Sequence, residues 1–468
     1  MILSRPEKPC LAAEPATQAS GIRLEAVEPG QPLEVKVISD THLSLRFPAD
    51  GKRAGLYVLA KISGVEGKTV QIDFDGPPFD KWATAVPQYG YVTDLANPAA
   101  WNFGEPDLAH ASAPMDNEAI VALTAPNASW QYMEKALRDE SGVSYEQSFT
   151  QDTAYIAFRV PHTVDFDNAY LQTLAKSPVA KVEQVGTSTD GKPLNVVTIA
   201  DPAPVNTHKP CVVIYAREHA DEQDSTWLAQ GAIEFLVSDT DAAKATRAAC
   251  DFIIIPIIDP KAAAVGAHES FVFYAPRGEP CREALAYATW FKARADADGR
   301  IDAVLNLHNP PPSSAFHVAC PMMSAPGERA TAQEALHAVI RTKLLGEHFM
   351  VRNTPWYRSE AIAQFGGWLQ DAYGTIHLPY EVNSLAPKRH LNLAELKVLG
   401  AMMAQASAEF WMTDAGKAAL EKIDAIRAQR QRAIEHLGAG RTQLGASVIE
   451  TERMLGLSRP ATQPTTRP

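Results

Sequence analysis

From Pro161 onward the chain repeats one grammar, short continuous apolar runs alternating with amphipathic stretches, and that alternation admits few folds. The runs at 194–199, 211–215, 252–258, 301–307 and 375–382 read as strands, and the stretches at 225–237, 283–294 and 330–345 read as helices. A strand that is Val/Ile-rich on every position has no polar face to give to water. The sheet it joins must therefore be covered on both sides, which predicts an α/β/α domain with a mixed sheet, of about 250 residues, over 161–412. Ligands in such domains collect at the carboxyl ends of the strands.

The flanking segments have a different texture. Residues 1–20 are rich in Pro, Ala and Glu and read as a disordered lead. Over 21–160 the apolar residues alternate, as in Leu43, Leu45 and Phe47 or Val70, Ile72 and Phe74, between Gly, Pro and Asp turns. That pattern predicts an antiparallel β-sandwich. Past Trp411, Leu420, Ile423, Ile426, Ile434 and Leu437 recur at helical spacing, so a helical extension is expected over 413–455. The Pro/Thr-rich end, 456–468, reads as a disordered tail.

Composition excludes several classes. With 43 Lys+Arg against 55 Asp+Glu, the formal net charge is −12, and no basic cluster is present of the kind that phosphate contacts require. A nucleic-acid partner is not expected. The five cysteines are an odd number without a C-x-x-C pair, which argues against a disulfide framework or a Cys-based metal site. No apolar run approaches the roughly 18 residues of a membrane span. The first twenty residues lack the apolar core of a signal peptide, so a cytoplasmic chain is the expectation, although a mature chain whose signal had been removed would read the same.

Some motifs fail on inspection. Gly186 to Lys192, GTSTDGK, has the spacing of a phosphate loop, but Pro193 stands where Ser or Thr should bind magnesium and a strand follows where a helix should. There is no G-x-S-x-G elbow, and His268-Glu269 has no second His at the H-E-x-x-H distance.

One constellation survives. The apolar run CVVIYA leads directly into Arg217-Glu-His219-Ala-Asp-Glu222, ahead of a helical stretch. A His and a Glu three apart at a strand end offer an imidazole nitrogen and a carboxylate to zinc, though H-x-x-E is also common on surface loops. A second apolar strand ends in His308 before three prolines, and a third carries Glu381 near its end. Zinc catalysis needs three protein donors and an open position, and His219, Glu222 and His308 make that set. A carboxylate in an apolar strand is costly unless paired, solvated or functional, and beside a metal Glu381 would serve as general base and then acid.

These residues resemble the zinc carboxypeptidase family, in particular its cytosolic branch. The segment Ala216 to Glu222 is similar to the family's A-R-x-H-P-G-E zinc segment, VEQVGTSTDGKPLNVVTIAD to its first hairpin, and FGGWLQDAYGTIHLPYE to the stretch before its catalytic Glu. The stretch Asp152 to Pro161 resembles the join between sandwich and catalytic domain in that branch. The resemblance implies Zn2+ as cofactor, a peptide or protein C-terminus as substrate, and hydrolysis of the C-terminal peptide bond. It also implies an Arg that polarises the carbonyl and an N-R pair that holds the terminal carboxylate. Here the first position falls near His268 or Glu269, and the pair survives only as Pro276-Arg277. Tyr357 or Tyr373 corresponds to the family's substrate-side tyrosine. The altered Arg positions keep two other readings open: a zinc amide hydrolase or deacylase acting on substrates without a free C-terminal carboxylate, and a binding protein with a degenerate carboxypeptidase domain.

Overall fold

The computed structural model describes residues 21–27, 33–46, 58–75, 88–106, 129–133, 135–138, 142–202, 208–219, 221–265, 281–297, 299–310, 319–323, 328–347, 349, 351–352, 356–357, 365–386 and 389–435. The expected lead and tail, the extension beyond Glu435, His268 and Arg277 lie outside the described residues.

The N-terminal part forms two five-stranded sheets. Its strands are β1 (Arg23–Ala26), β2 (Glu34–Ser39), β3 (His42–Arg46), β4 (Leu59–Ser63), β5 (Thr69–Asp75), β6 (Gln88–Gly90), β7 (Trp130–Tyr132), β8 (Lys135–Arg138), β9 (Gly142–Ser148) and β10 (Thr153–Ala157). One sheet has the order β1-β4-β10-β6-β7 and the other β2-β3-β5-β9-β8. Alternating residues of both, among them Leu43, Leu45, Ile62, Val70, Ile72 and Ile156, meet in one core, as expected for a sandwich. One pairing departs from the antiparallel expectation: β3 and β5 are parallel. The chain leaves β3 for β4 in the opposite sheet and returns to β5, so both strands of the second sheet run the same way.

The remainder is built on an eight-stranded mixed sheet of order β11-β12-β14-β13-β15-β18-β16-β17. Its first elements are α1 (Val164–Thr173), β11 (Ala180–Thr187), β12 (Pro193–Ile199), β13 (Cys211–Ala216), α2 (Gln223–Val237), α3 (Asp241–Ala249), β14 (Asp251–Ile255), α4 (Pro260–Val265) and α5 (Arg282–Asp296). Then follow β15 (Ala303–His308), β16 (Ala319–Met323), α6 (Glu328–Gly346), β17 (Trp356–Tyr357), α7 (Phe365–Tyr373), β18 (Ile376–Val382), the two-residue pair β19 (Leu385–Ala386) and β20 (Arg389–His390), α8 (Leu393–Phe410) and α9 (Asp414–Glu435).

The phosphate-loop look-alike is the turn of the β11-β12 hairpin, where Gly191 takes φ 89° and Ser188 Oγ accepts from Lys192 N at 2.8 Å. β14, β13, β15 and β18 are parallel neighbours. Their side chains alternate between two cores: Val212 and Ile214 face α2, α6 and α8, whereas Val213 and Tyr215 face α5 and α7. β14 stops at Ile255, before Pro256, which has no N–H to donate to the ladder. From β13 the chain goes first to β14 on one side and later to β15 on the other, so the carboxyl end of β13 is a switch point where loops diverge and leave a crevice.

The sandwich is packed directly onto this domain. Trp101 lies 5.8 Å from Trp130, 5.1 Å from Phe166 and 5.8 Å from Trp227 between ring centroids, and Tyr132 Oη donates to Leu391 O at 3.0 Å.

Candidate metal centre and active site

The chain leaves β13 through Arg217, which adopts φ 65°, a left-handed conformation unfavourable for any residue with a Cβ. Tertiary bonds hold it there: Arg217 N donates to Ser225 Oγ at 3.3 Å and its Nη1 to His162 O at 3.0 Å. The bend brings Glu218, His219 and, after a tight turn in which Glu222 N donates to His219 O at 3.2 Å, Glu222 to the head of α2. Glu222 occupies the N-cap position, yet its carboxylate makes no cap. Asn309, just past β15, supplies the missing acceptor, taking Ser225 N at 3.2 Å on Oδ1 and donating its Nδ2 to Val382 O at 2.6 Å. The Glu222 carboxylate is thereby left for the imidazoles.

His219 Nδ1 lies 2.7 Å from Glu222 Oε1 and His308 Nδ1 lies 2.8 Å from Glu222 Oε2. The ring centroids of His219 and His308 are 4.9 Å apart. One donor atom from each of the three residues falls within 4.8 Å of the others, the single such group among the described residues. The His308 and Glu222 side chains are 0% and 4% exposed, whereas His219 is 25% exposed, so the cluster opens to solvent on the His219 side. Two imidazole nitrogens and a carboxylate, with one side open, fit the three-ligand pattern of a catalytic zinc.

Electrostatics follow from burial and charge. Burial by itself would push the His308 imidazole down, but the carboxylates of Glu222, Glu381 and Glu218 outweigh it and raise it to about 9. The Glu222 carboxyl is opposed by burial, yet the two imidazoles hold it far below the usual carboxylate range. Burial pushes the neighbouring His377 down to about 3, with the His308 charge adding to the effect.

Glu381 lies in register with His308 across the parallel β15-β18 pair, so both side chains project from the same face at the same end of the sheet. It is half-buried. Tyr357 is on β17 at the sheet edge. Tyr373 is not brought to this cluster. It ends α7, ahead of the amino end of β18, so the length of the strand separates it from Glu381. There it packs on Trp368, 5.6 Å between centroids, and beneath Arg430, whose guanidinium carbon is 4.9 Å from the ring centroid. A tyrosine named by similarity alone carries no information about sheet ends, and the correction removes Tyr373 from the substrate-binding set.

Sequence reasoning passes over Glu218. Its side chain is buried, its Oε2 accepts from Asn306 Nδ2 at 2.9 Å and Tyr215 Oη at 3.2 Å, and the same oxygen is 3.7 Å from His308 Nε2. The signal was present in a second acidic residue two positions past an all-apolar strand and beside a candidate ligand.

The fold and this cluster define an α/β protein with a three-donor, open-sided candidate metal centre at a sheet switch point. Residues 168–261 match the zinc carboxypeptidase family model. His219 and Glu222 lie inside that match, and His308 and Glu381 lie beyond it. The chain is 32% identical over 128 residues to cytosolic carboxypeptidase 2 of Danio rerio, covering 26% of this chain and 18% of the relative. It is 27% identical over 125 residues to human cytosolic carboxypeptidase 2, covering 25% and 14%. These matches span less than a fifth of either relative's length. The metallo-carboxypeptidase of Burkholderia cenocepacia superposes with a TM-score of 0.64 at 17% identity, over 83% of this chain and 98% of that one, which extends the fold similarity well beyond the sequence match.

Proposed function

We propose that this chain is a zinc-dependent metallocarboxypeptidase that hydrolyses the C-terminal bond of peptides or proteins, with His219, Glu222 and His308 holding the metal. The observation that carries the reading is the convergence of those three donors within 4.8 Å, with Glu381 in register beside His308. Zinc bound there would supply a Lewis acid that polarises the scissile carbonyl and acidifies a water. The chain's own groups supply the rest. Glu381, at the strand end and half-buried, takes the proton from the attacking water and passes it to the leaving amine. Buried Glu218 faces the far nitrogen of His308 and favours a proton there, which leaves Nδ1 free for a metal. Arg277 is assigned to the substrate's terminal carboxylate, His268 to the developing oxyanion and Tyr357 to the substrate side, all on the family resemblance alone. The name of the cytosolic relatives supports a cytoplasmic location.

The test is zinc content together with peptidase activity of wild type and Glu381→Gln. Wild type should bind one zinc and be active, and the variant should keep the metal while losing about 10²- to 10⁴-fold in turnover. An inactive wild type or a fully active variant overturns the assignment. Peptides with a free or amidated C-terminus separate the carboxypeptidase from an amide hydrolase: turnover should vanish on amidation, and equal rates would favour the latter.

A further inference from the structure

The turns that carry the metal donors and the general base are fastened to one another by a residue from outside the α/β domain. Arg159 follows β10 of the sandwich and is 2% exposed. Its Nη1 pairs with Asp224 Oδ2 and lies 3.5 Å from Ser384 Oγ, and its Nη2 donates to Pro310 O at 2.9 Å. Asp224 Oδ2 in turn accepts Ser384 N at 3.1 Å. Asp224 stands just after Glu222, Pro310 just after His308, and Ser384 just after Glu381. One guanidinium therefore reaches the head of α2, the exit of β15 and the exit of β18.

The segment around it continues the same contact. Trp227 Nε1 donates to Val160 O at 3.1 Å, and His162 N donates to Gln223 Oε1 at 2.7 Å. The join between sandwich and domain is thus bonded to the first turns of α2, directly after Glu222.

Burying an ion pair this completely is a poor way to gain stability, because apolar replacements of similar volume are commonly as stable or more so. A planar guanidinium does offer donors in several fixed directions at once, which an ammonium cannot. We infer that Arg159 is a positioning residue of the metal centre, and that the sandwich is through it a component of the active site. The inference rests on the metal-centre reading above.

The experiment measures zinc affinity of the full chain by competition with a chromophoric chelator, and the visible spectrum of the cobalt-substituted protein. Removing groups that orient metal ligands typically costs 10- to 100-fold in metal affinity. Arg159→Met combined with Asp224→Asn removes both charges while leaving an acceptor for Ser384 N. It should fold, bind zinc 10- to 100-fold more weakly and show an altered cobalt spectrum. Arg159→Lys keeps the charge but loses the fork, should weaken zinc several-fold, and decides the question if the double variant does not fold. Tyr132→Phe, which breaks a different bond across the same interface, should leave zinc affinity unchanged. Folded Arg159 variants with wild-type affinity and spectrum overturn the inference, and so does a Tyr132→Phe effect of equal size. A wild type that binds no zinc overturns the metal-centre reading and the inference with it, whereas wild-type binding with unaffected variants overturns the inference alone.

Discussion

Replacing Gly400 by Ala tests whether the closeness of two helices sustains this domain. A Cβ at Gly400 on α8 would sit 1.9 Å from Leu228 O and 2.6 Å from its carbonyl carbon on α2. Gly231 on α2 is the reciprocal site, where a Cβ would meet Lys397 O at 2.2 Å. Ordinary contact begins near 3.4 Å, so the helices would have to part by about 1.5 Å. The obstructing atom is a backbone oxygen with Trp227 and Leu228 fully buried around it, and no side-chain rotation relieves the clash. Overpacking of this kind costs about 1–3 kcal/mol, and a rigid obstacle puts it at the upper end. The better helix propensity of Ala returns about 1 kcal/mol, leaving a net loss of about 2 kcal/mol. Urea unfolding of the full chain measures it. Gly346→Ala, where a Cβ meets nothing within 4 Å, is the control and should be neutral or stabilising. A Gly400→Ala variant within about 0.5 kcal/mol of wild type, inside the range of ordinary surface changes, would refute the close-packing argument.

Zinc at 100 times its dissociation constant should stabilise the chelator-stripped chain by about 2.7 kcal/mol, and His308→Ala should abolish that increment; an equal thermal shift in the variant would refute the ligand role. Burial holds His162 and His377 down at about 3 and His337 at about 4, while burial raises Asp167 to about 7. The unfolded histidines charge below about 6.5, so three protons favour the unfolded state as pH falls, against one that Asp167 takes up only when folded. Between about pH 6 and 4.5 stability should therefore fall by about 2.7 kcal/mol per pH unit, and a flat profile in urea titrations would refute the assignment. Trp101→Ala should cost about 3–5 kcal/mol and speed proteolysis at the sandwich junction, because its ring is buried against Trp130, Phe166 and Trp227; a loss under 1 kcal/mol would show that this contact does not hold the sandwich.

The central strands and the three donors were legible because each leaves a local mark: an apolar run for a strand, and a ligand-type residue at its end. What was not legible depends on juxtaposition. Alternation in Leu43-Leu45 and Val70-Ile72 gives the face of a strand but not its direction, so the parallel β3-β5 pair was invisible. α8 escaped because most of its length is buried, leaving no polar stripe by which a 3.6-residue period would show. Glu218 gains meaning only from Asn306, which the sheet sets beside it, and Arg159 only from three turns far away in the chain. Tyr373 is the converse case, where similarity supplied a residue type and the fold put it at the wrong end.

The proposed metal centre accounts for the charge balance of the cluster better than a structural ion-pair network does. Buried carboxylates elsewhere among the described pairs meet an arginine directly, as Asp224 meets Arg159 and Asp302 meets Arg300. Around His308 the count is different: the carboxylates of Glu222, Glu381 and Glu218 all act on one imidazole, with His219 the only second base in the cluster. Those carboxylates outweigh the desolvation of this fully buried imidazole and raise it to about 9. Such an excess costs several kcal/mol per unmatched ion in a dry interior, so a sequence selected for stability alone would not accumulate it. A divalent cation held by His219, Glu222 and His308 would reverse the sign, because its two positive charges would offset two carboxylates and favour neutral imidazoles as donors. On the proposed reading Glu381, half-buried at the strand end, is the third of these carboxylates and the one that would exchange a proton with the substrate side.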